Sequence, residues 1–550
     1  MAKKISISTI LTIIITAISY YFVLPPLNFF SPLFWGFIGG ILVVFFMCYL
    51  LTASVVNSKK YLGTKTNPLI ASDDRLLTVV LAILGILLVV FLIGGLIGTP
   101  LFSSGKYAST LKVEESTFEK EIIESTQITD IALMDSDSAA ILGNRTMGSL
   151  TELVSQFEVS ETYSQIDYNG SPAKVAPLEY AGFFKWLGNK DNGIPGYVYV
   201  DPVNNTSKYV ELKESIEYSP SALFGKNLKR KLRFEYPTAI FDECYFEIDN
   251  DGTPFWICPV LKRNAGLFGA TTVKACVTLN ASTGDSSYYE LDEIPEWVDI
   301  VFNGERLEEQ YDWYGMYSDG FWNSVFGNKG CKVTTDDFGY KVIDNDVYIY
   351  TGVTSVNGDE SNIGFLLINS RTSECKYFPV AGAEEYSAMS AAEGEVQNLG
   401  YEASFPSLIN VCGEPTYIMV LKDDGGLVKQ YALVNVKQYN IVACATTQAE
   451  VLSKYKTLLA EGDIISEIVP EIVTKSETIT VEDINFISID GNTIVYIQTK
   501  DNKYYKQNFK DNETLITVKS GDTLKITYDE EYINDEIISL MTATKTGDNQ

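Results

Sequence analysis

Few residue types here can move protons. The chain has no histidine, which removes Ser-His-Asp and Cys-His catalysis and any zinc site built on imidazole. A serine–lysine pair is the remaining nucleophile–base option. Ser453-Lys454-Tyr455-Lys456 has the S-x-x-K form and Lys545-Thr546-Gly547 the K-T-G form of penicillin-binding enzymes. Their contexts do not match: Ser453 falls on an expected surface helix, K-T-G falls in a polar tail, and no S-x-N separates them. The same spacing recurs at Ser103, Ser171 and Ser373. Asp337-Phe338-Gly339 lacks a kinase lysine or Gly-rich loop. Asp292, Glu293 and Glu296 beside Trp297 bring carboxylates together, as glycoside cleavage would need, but a solvated acidic turn accounts for them equally.

Asp249-Asn250-Asp251-Gly252 has the look of a calcium loop. An EF-hand starting at Glu247 needs a carboxylate at its twelfth position, where Cys258 stands. Strand-like text flanks the loop, so a hairpin turn is expected there, as at Asp423-Asp424-Gly425-Gly426 and Asp490-Gly491-Asn492. The eight cysteines show no C-x-x-C; one or two disulfides or buried free thiols both fit, and no pairing can be assigned. No metal or other cofactor is expected.

Two clusters are candidate binding groups. The stretch Trp297–Phe326 is dense in aromatics, and Trp313, Tyr314, Tyr317 and Trp322 are the candidates for stacking on a sugar or gripping a peptide; an aromatic core under a long connection is the competing reading. Lys226, Lys229, Arg230, Lys231 and Arg233 form a basic run in an acidic region. It suits an acidic neighbouring module, a partner, anionic wall polymer or lipid head groups, or a solvated face.

The elements carrying these groups divide sharply. Residues 5–24, 33–56 and 76–98 are apolar runs of the length a membrane-spanning helix needs. Lys3 and Lys4 precede the first, and Lys59, Lys60, Lys65 and Arg75 fill the link before the third. The positive-inside rule puts the N-terminus in the cytoplasm and everything after Gly98 outside. Gly36/Gly40 and Gly94/Gly98 are GxxxG pairs that could bring helices together or make an oligomer. The first hundred residues hold six of the 42 basic and two of the 71 acidic residues, which leaves the remainder a formal charge of −33. Such a surface repels nucleic acid and suits a domain standing off a membrane.

Beyond the anchor, four stretches repeat a pattern of apolar strand, Asp or Asn, polar turn and second strand: 196–212, 274–291, 364–380 and 430–443. Three are preceded by another strand and turn, so the unit is a hairpin feeding a third strand. Helices are expected over 117–125 after Ser116–Glu119, over 138–157, from Ser390 to Leu399, and over 448–461 with Leu452, Tyr455 and Leu459 on one face. Residues 475–529 read as five strands, LITVKS among them.

Segments such as LVSQFEVSETYSQIDYNG, GIPGYVYVD, FEIDNDGTPFW, YTGVTSVNGDESNIGF and PVAGAEEYSAMSAAEGEVQNLGY resemble a family of uncharacterised membrane-anchored proteins of Gram-positive bacteria. The similarity covers roughly 107–460, and the resemblance supplies no catalytic residues. The strand–turn–strand units also resemble PepSY-type modules, which implies peptidase inhibition or regulation. The expected architecture is α+β: a three-helix anchor (1–100), an extracytoplasmic domain of repeated PepSY-like antiparallel β-hairpin units with a few helices (105–464), a small β-barrel or sandwich (475–530) and a flexible tail (531–550). The expected role is a non-enzymatic scaffold or binding protein at the cell envelope, in contact with membrane lipid and with envelope proteins or cell-wall material. The alternatives are an envelope enzyme or protease regulator, or a subunit of a larger membrane assembly.

Overall fold

A computed structural model describes residues 2–60, 74–125, 131–335, 337–356, 361–462, 464, 474–489, 492–529, 537–540 and 542–545. The Asp490-Gly491 turn and most of the link between the second and third apolar runs, with Lys65, lie outside these residues. The chain forms two compact units, Met1–Tyr455 and Lys456–Gln550.

The apolar runs form helices α1 (Ala2–Val23), α2 (Pro32–Lys60) and α3 (Asp74–Ile97). Within them Ile5–Val23, Pro32–Thr52 and Thr78–Ile97 are long and apolar enough to cross a membrane, and no more than 11 % of any is buried inside the protein. Their apolar surface therefore faces outward, as in a helix that packs mainly on lipid. Ser8 donates to Thr52 across α1 and α2 at 3.3 Å, and Tyr20 meets Phe37 edge-on near the other end. Gly36 and Gly40 line an open groove between these helices. Helix α4 (Pro100–Ala108) follows at once, then the single turn α5 (Phe118–Glu121). The latter is shorter than the sequence suggested: Ser116 donates to Glu121, and its N–H is held by Tyr377 of an adjoining strand.

Four copies of one arrangement follow, each a helix, two short strands pairing in succession with the same long strand, and a meander of that strand with two more. The first has α6 (Ser136–Gly148), short strands Phe157–Val159 and Ser164–Tyr168, and meander Ser171–Tyr180, Ile194–Asp201 and Thr206–Ile216, with α7 (Phe183–Asn189) inserted. The second has α8 (Leu228–Glu235), Ile240–Phe241 and Tyr245–Ile248, then Pro254–Ala265, Gly269–Asn280 and Ser286–Glu290. The third has α9 (Gly304–Tyr317), Lys332–Thr334 and Gly339–Ile343, then Asp346–Ser355, Gly364–Asn369 and Cys375–Phe378. The fourth has α10 (Glu385–Glu395), Glu402–Ala403 and Ser407–Val411, then Glu414–Lys422, Val428–Asn435 and Val442–Ala445. Helix α11 (Gln448–Glu461) ends the series with Leu452, Tyr455 and Leu459 buried, as the sequence indicated.

The recurring Asp or Asn has one physical task. At the turn between the last two strands the side-chain oxygen of Asp201, Asn280, Asn369 and Asn435 accepts a backbone N–H two or three residues on. This Asx turn closes a short loop that has no strand partner. The Asp249 turn works likewise: Oδ1 accepts from Asp251 and Thr253, and Gly252 takes a positive φ of 81°. Asp423 repeats it toward Gly425 and Leu427.

Successive sheets share cores. Trp256, Cys258 and Val260 face the first unit, while their neighbours Ile257 and Leu261 face the third. In the third sheet Ile349, Leu366 and Ile368 face the second unit, and Tyr350, Phe365 and Leu367 the fourth. The period of two thus buries both faces of the inner sheets. Among the described residues all eight cysteines are free, and Cys258, Cys276 and Cys375 lie in these cores.

In the second compact unit the strand order is Ile537–Ser539, Tyr504–Asn508, Asn492–Thr499, Thr474–Ile489, Thr523–Asp529 and Thr542–Lys545. Two corrections follow. LITVKS is not a strand: Glu513–Thr517 is a 3-10 turn, and the buried pair Leu515 and Val518 has a three-residue spacing that suits it. The tail is not uniformly frayed, since Ile538, Leu540 and Ala543 enter the core.

Buried carboxylates tie the repeat units together. Glu247 accepts the N–H groups of Asp299 and Ile300 at 2.9 and 2.8 Å, and Asp299 accepts that of Asp167 at 2.8 Å. Burial pushes Glu247 and Glu385 up to about 7 and Glu308 up to about 8. A carboxyl harder to ionise in the folded than in the unfolded chain gives stability at low pH. That stability is lost as pH rises from the unfolded value of about 4.3 through the folded one. Thermal melts of the full chain in detergent are therefore expected to show a midpoint that falls between pH 5 and pH 8.5. Combining Glu247→Gln, Glu308→Gln and Glu385→Gln should flatten that fall.

Candidate functional site

The basic run starts at the end of a 3-10 turn (Phe224–Lys226) and continues into α8, capped by Asn227, whose Oδ1 accepts from Arg230 N–H at 3.1 Å. Its charges serve the chain itself. Arg233 Nε donates to the Leu24 carbonyl at 3.0 Å, and its Nη1 to that of Ala239 at 2.6 Å. Arg230 Nε donates to the Tyr21 carbonyl, Nη1 to that of Phe224, and the guanidinium lies over the Tyr21 ring. Leu27 N–H reaches the Pro237 carbonyl and Asn28 the Thr238 carbonyl. The last carbonyls of α1, which a helix leaves unsatisfied, are thus closed by α8. Lys226 pairs with Glu217 and Lys231 with Glu235; Lys229 is exposed.

The aromatic candidates separate. Trp313 and Tyr317 pack at 4.8 and 6.0 Å on Tyr107, whose hydroxyl donates to the Gly98 carbonyl just past α3. Tyr314 packs beside Tyr311 in the core between the second and third sheets. Trp322 alone of the four is mainly exposed, at 63 %, just before a π-turn (Asn323–Gly327). They do not form one pocket, because α9 points its rings toward different neighbours.

A site that the sequence did not indicate lies where all four repeat units meet. A cleft of about 420 Å³ takes one aromatic from beside the second short strand of each unit: Tyr163, Tyr245, Tyr340 and Phe405. The N-terminal turns of α6 and α9 also line it, through Ser136 and Gly304, so two sets of helix-end N–H dipoles border the space. The long strand of the first unit brings Lys174, only 3 % exposed. Its Nζ donates to Ser136 Oγ at 3.4 Å and lies 6.0 Å from the Tyr340 ring. The nearby carboxylate Asp135 is already engaged by Lys422 at 2.5 Å and by Ser138 N–H. Burial opposes ionisation of Asp135, but those bonds outweigh it and hold the carboxyl below its usual value. Burial lowers Lys174 to about 8, and raises Tyr163 to about 12. The Tyr163 hydroxyl is buried without a hydrogen-bond partner. Glu243, Glu305 and Asp337 complete the lining.

The cleft therefore offers the Lys174 ammonium, with carboxylates around it; the Tyr163 hydroxyl turns instead toward Gly143 of α6 and Val198, in the core of the first unit. Such a set matches a zwitterion: a carboxylate on Lys174, an amine toward Glu243, Glu305 or Asp337. Neither the protein-family models nor the curated proteins compared with the chain match it.

The α8 junction generates a stability test. Arg233→Met strands several carbonyls and should cost about 3 kcal/mol, seen as a lowered thermal midpoint in detergent. Lys229→Met should leave the midpoint unchanged.

Proposed function

We propose that this chain is a membrane-anchored, non-enzymatic binding protein of the cell envelope. Its four-unit domain holds a peptide-like segment, from an envelope protein or from cell-wall material, in the cleft described above. The observation that carries this is Lys174: a buried ammonium at the cleft whose hydrogen bond goes to the Ser136 hydroxyl, with no carboxylate bound to it among the described residues. A buried charge is costly unless paired, and a ligand carboxylate would pair it. The basic residues Lys3, Lys4, Lys59 and Lys60 support a cytoplasmic N-terminus, with the four-unit domain and the second compact unit on the extracytoplasmic side. The two-strand units that resemble PepSY-type modules fit a regulator that grips a peptide without cutting it.

A second reading draws on the Ser136–Lys174 pair. Lysine lowered to about 8 beside a serine at a helix N-terminus is an arrangement that acyl hydrolases use. On that reading the chain is an envelope enzyme, with Ser136 as nucleophile and Lys174 as base. A role as subunit of a larger membrane assembly would leave the cleft for a partner's chain terminus.

One experiment separates these. Full-length protein in detergent is passed over purified cell walls and, separately, mixed with solubilised membranes at low and moderate salt. The binding reading expects salt-resistant retention that falls about tenfold or more with Lys174→Met and survives Trp322→Ala. Covalent labelling by a fluorophosphonate that disappears in Ser136→Ala would favour the hydrolase. Retention indifferent to Lys174→Met would remove the cleft from the account.

A further inference from the structure

The four-unit domain does not stand clear of the apolar helices. It descends alongside them at the end where α1 and α3 finish and α2 begins. Phe234 of α8 is 55 % exposed, and its ring lies 6.0 Å from Tyr20 and 6.3 Å from Tyr21. Tyr20 is three residues, about 4.5 Å of helix rise, before the end of α1. On the other side the hairpin tip between Pro254–Ala265 and Gly269–Asn280 reaches deeper. Leu267 N–H donates to the Gly94 carbonyl at 3.0 Å, and the Phe268 ring lies 4.9 Å from Phe91. Phe91 is six residues, about 9 Å, before the end of α3. A bilayer that surrounds these helices to their ends must also surround Phe234 and Phe268.

Two exposed apolar groups extend from these points. Beside α1, Phe224 (56 % exposed) shares Arg230 with the Tyr21 carbonyl. It continues through Trp186 into α7, where Phe184 is 81 % exposed. Beside α3, α9 packs on Tyr107, and beyond its end the chain carries Trp322 and Phe326, whose rings stack 5.7 Å apart with Phe326 79 % exposed. Lys229 and Lys329, both exposed, stand near these groups in the chain, while Lys190 pairs with Asp191. Open rings with lysines nearby, continuous with the ends of apolar helices, are the composition of a surface lying in the head-group layer.

We propose that the domain is seated in the lipid head-group layer, with Phe184 and Phe224 as one foot and Trp322 and Phe326 as the other. The occupant of both is the lipid bilayer. This rests on the reading of α1–α3 as membrane-spanning, and it departs from the expectation of a domain held off the membrane.

The test uses the full chain labelled with 5-fluorotryptophan, in nanodiscs of phosphatidylcholine and phosphatidylglycerol in equal parts. Fluorine resonances are read with a nitroxide on the upper acyl chain of the lipid, or with a soluble gadolinium chelate. Trp322→Phe and Trp35→Phe assign two signals, and Phe184→Trp adds a third. The Trp322 signal and the added one are each expected to lose more than half their height to the lipid nitroxide and little to gadolinium. Trp256, 4 % exposed, should be spared by both. Trp322 broadened by gadolinium and spared by lipid, while Trp35 is broadened by lipid, overturns the seating and leaves the anchor standing. Trp35 reached by gadolinium and not by lipid overturns the membrane-spanning reading, and this proposal with it. The Trp322 signal is read in the unsubstituted protein, and Trp322→Phe serves only to assign it.

Discussion

The structure depends on how the open ends of two apolar helices are closed. A helix leaves its last carbonyls without partners, and in an apolar surrounding each unmet group is expensive. At α1 the second repeat unit supplies donors; at α3 the following residues meet most of the carbonyls, Thr99 that of Leu96 and Ser103 that of Ile97, and the second unit adds one bond. Arg233 and Arg230 take the carbonyls of Leu24 and Tyr21, and Leu267 N–H takes that of Gly94. The contact at α3 is backbone on backbone: a side-chain carbon on Gly269 would collide with the Gly98 carbonyl, and one on Gly266 with the Gly98 N–H group. Gly266 also has a positive φ of 52°, which glycine adopts at little cost. Both junctions fall in the same unit, so that unit fixes where the other three lie.

From this fixed unit the architecture grows by repetition. Each sheet lends alternate residues to the cores on its two sides, so the inner sheets have no free face. The irregular part of every unit, between its two short strands, cannot be buried in a core. All four such segments meet at the cleft, which explains why polar and aromatic side chains gather there and not on the sheet faces.

Much of the chain could be read from sequence. The apolar helices were plain from length, and the paired strands at 196–212, 274–291, 364–380 and 430–443 correspond to the last two strands of each unit. The Asx residue that marked them is the one that closes the turn. The helix opening each unit was harder. In α9, Leu307 and Tyr311 enter the core between two sheets while Trp313 and Tyr317 turn to α4, so no single stripe shows. Arg230 and Arg233 of α8 looked like part of a surface patch because their partners are backbone carbonyls, which leave no mark in sequence. The helix expected from Ser390 instead runs over Glu385–Glu395, and its N-terminal residue Glu384 makes no side-chain cap. The cleft was invisible because Lys174 and its surroundings come from segments far apart in the chain. The one available signal was the aromatic beside each second short strand.

The junction at α1 also sets a sequence of events in time. Leu24 and Arg233 are separated by 209 residues, so the end of the first apolar helix stays open while α2, α3 and the whole first unit are made. Only when the chain has been extended through α8 can that end be closed. The loop at Gly266 then settles on Gly98, a residue made long before it. The apolar helices are thus synthesised well before the segment that closes them, and that segment is not part of them.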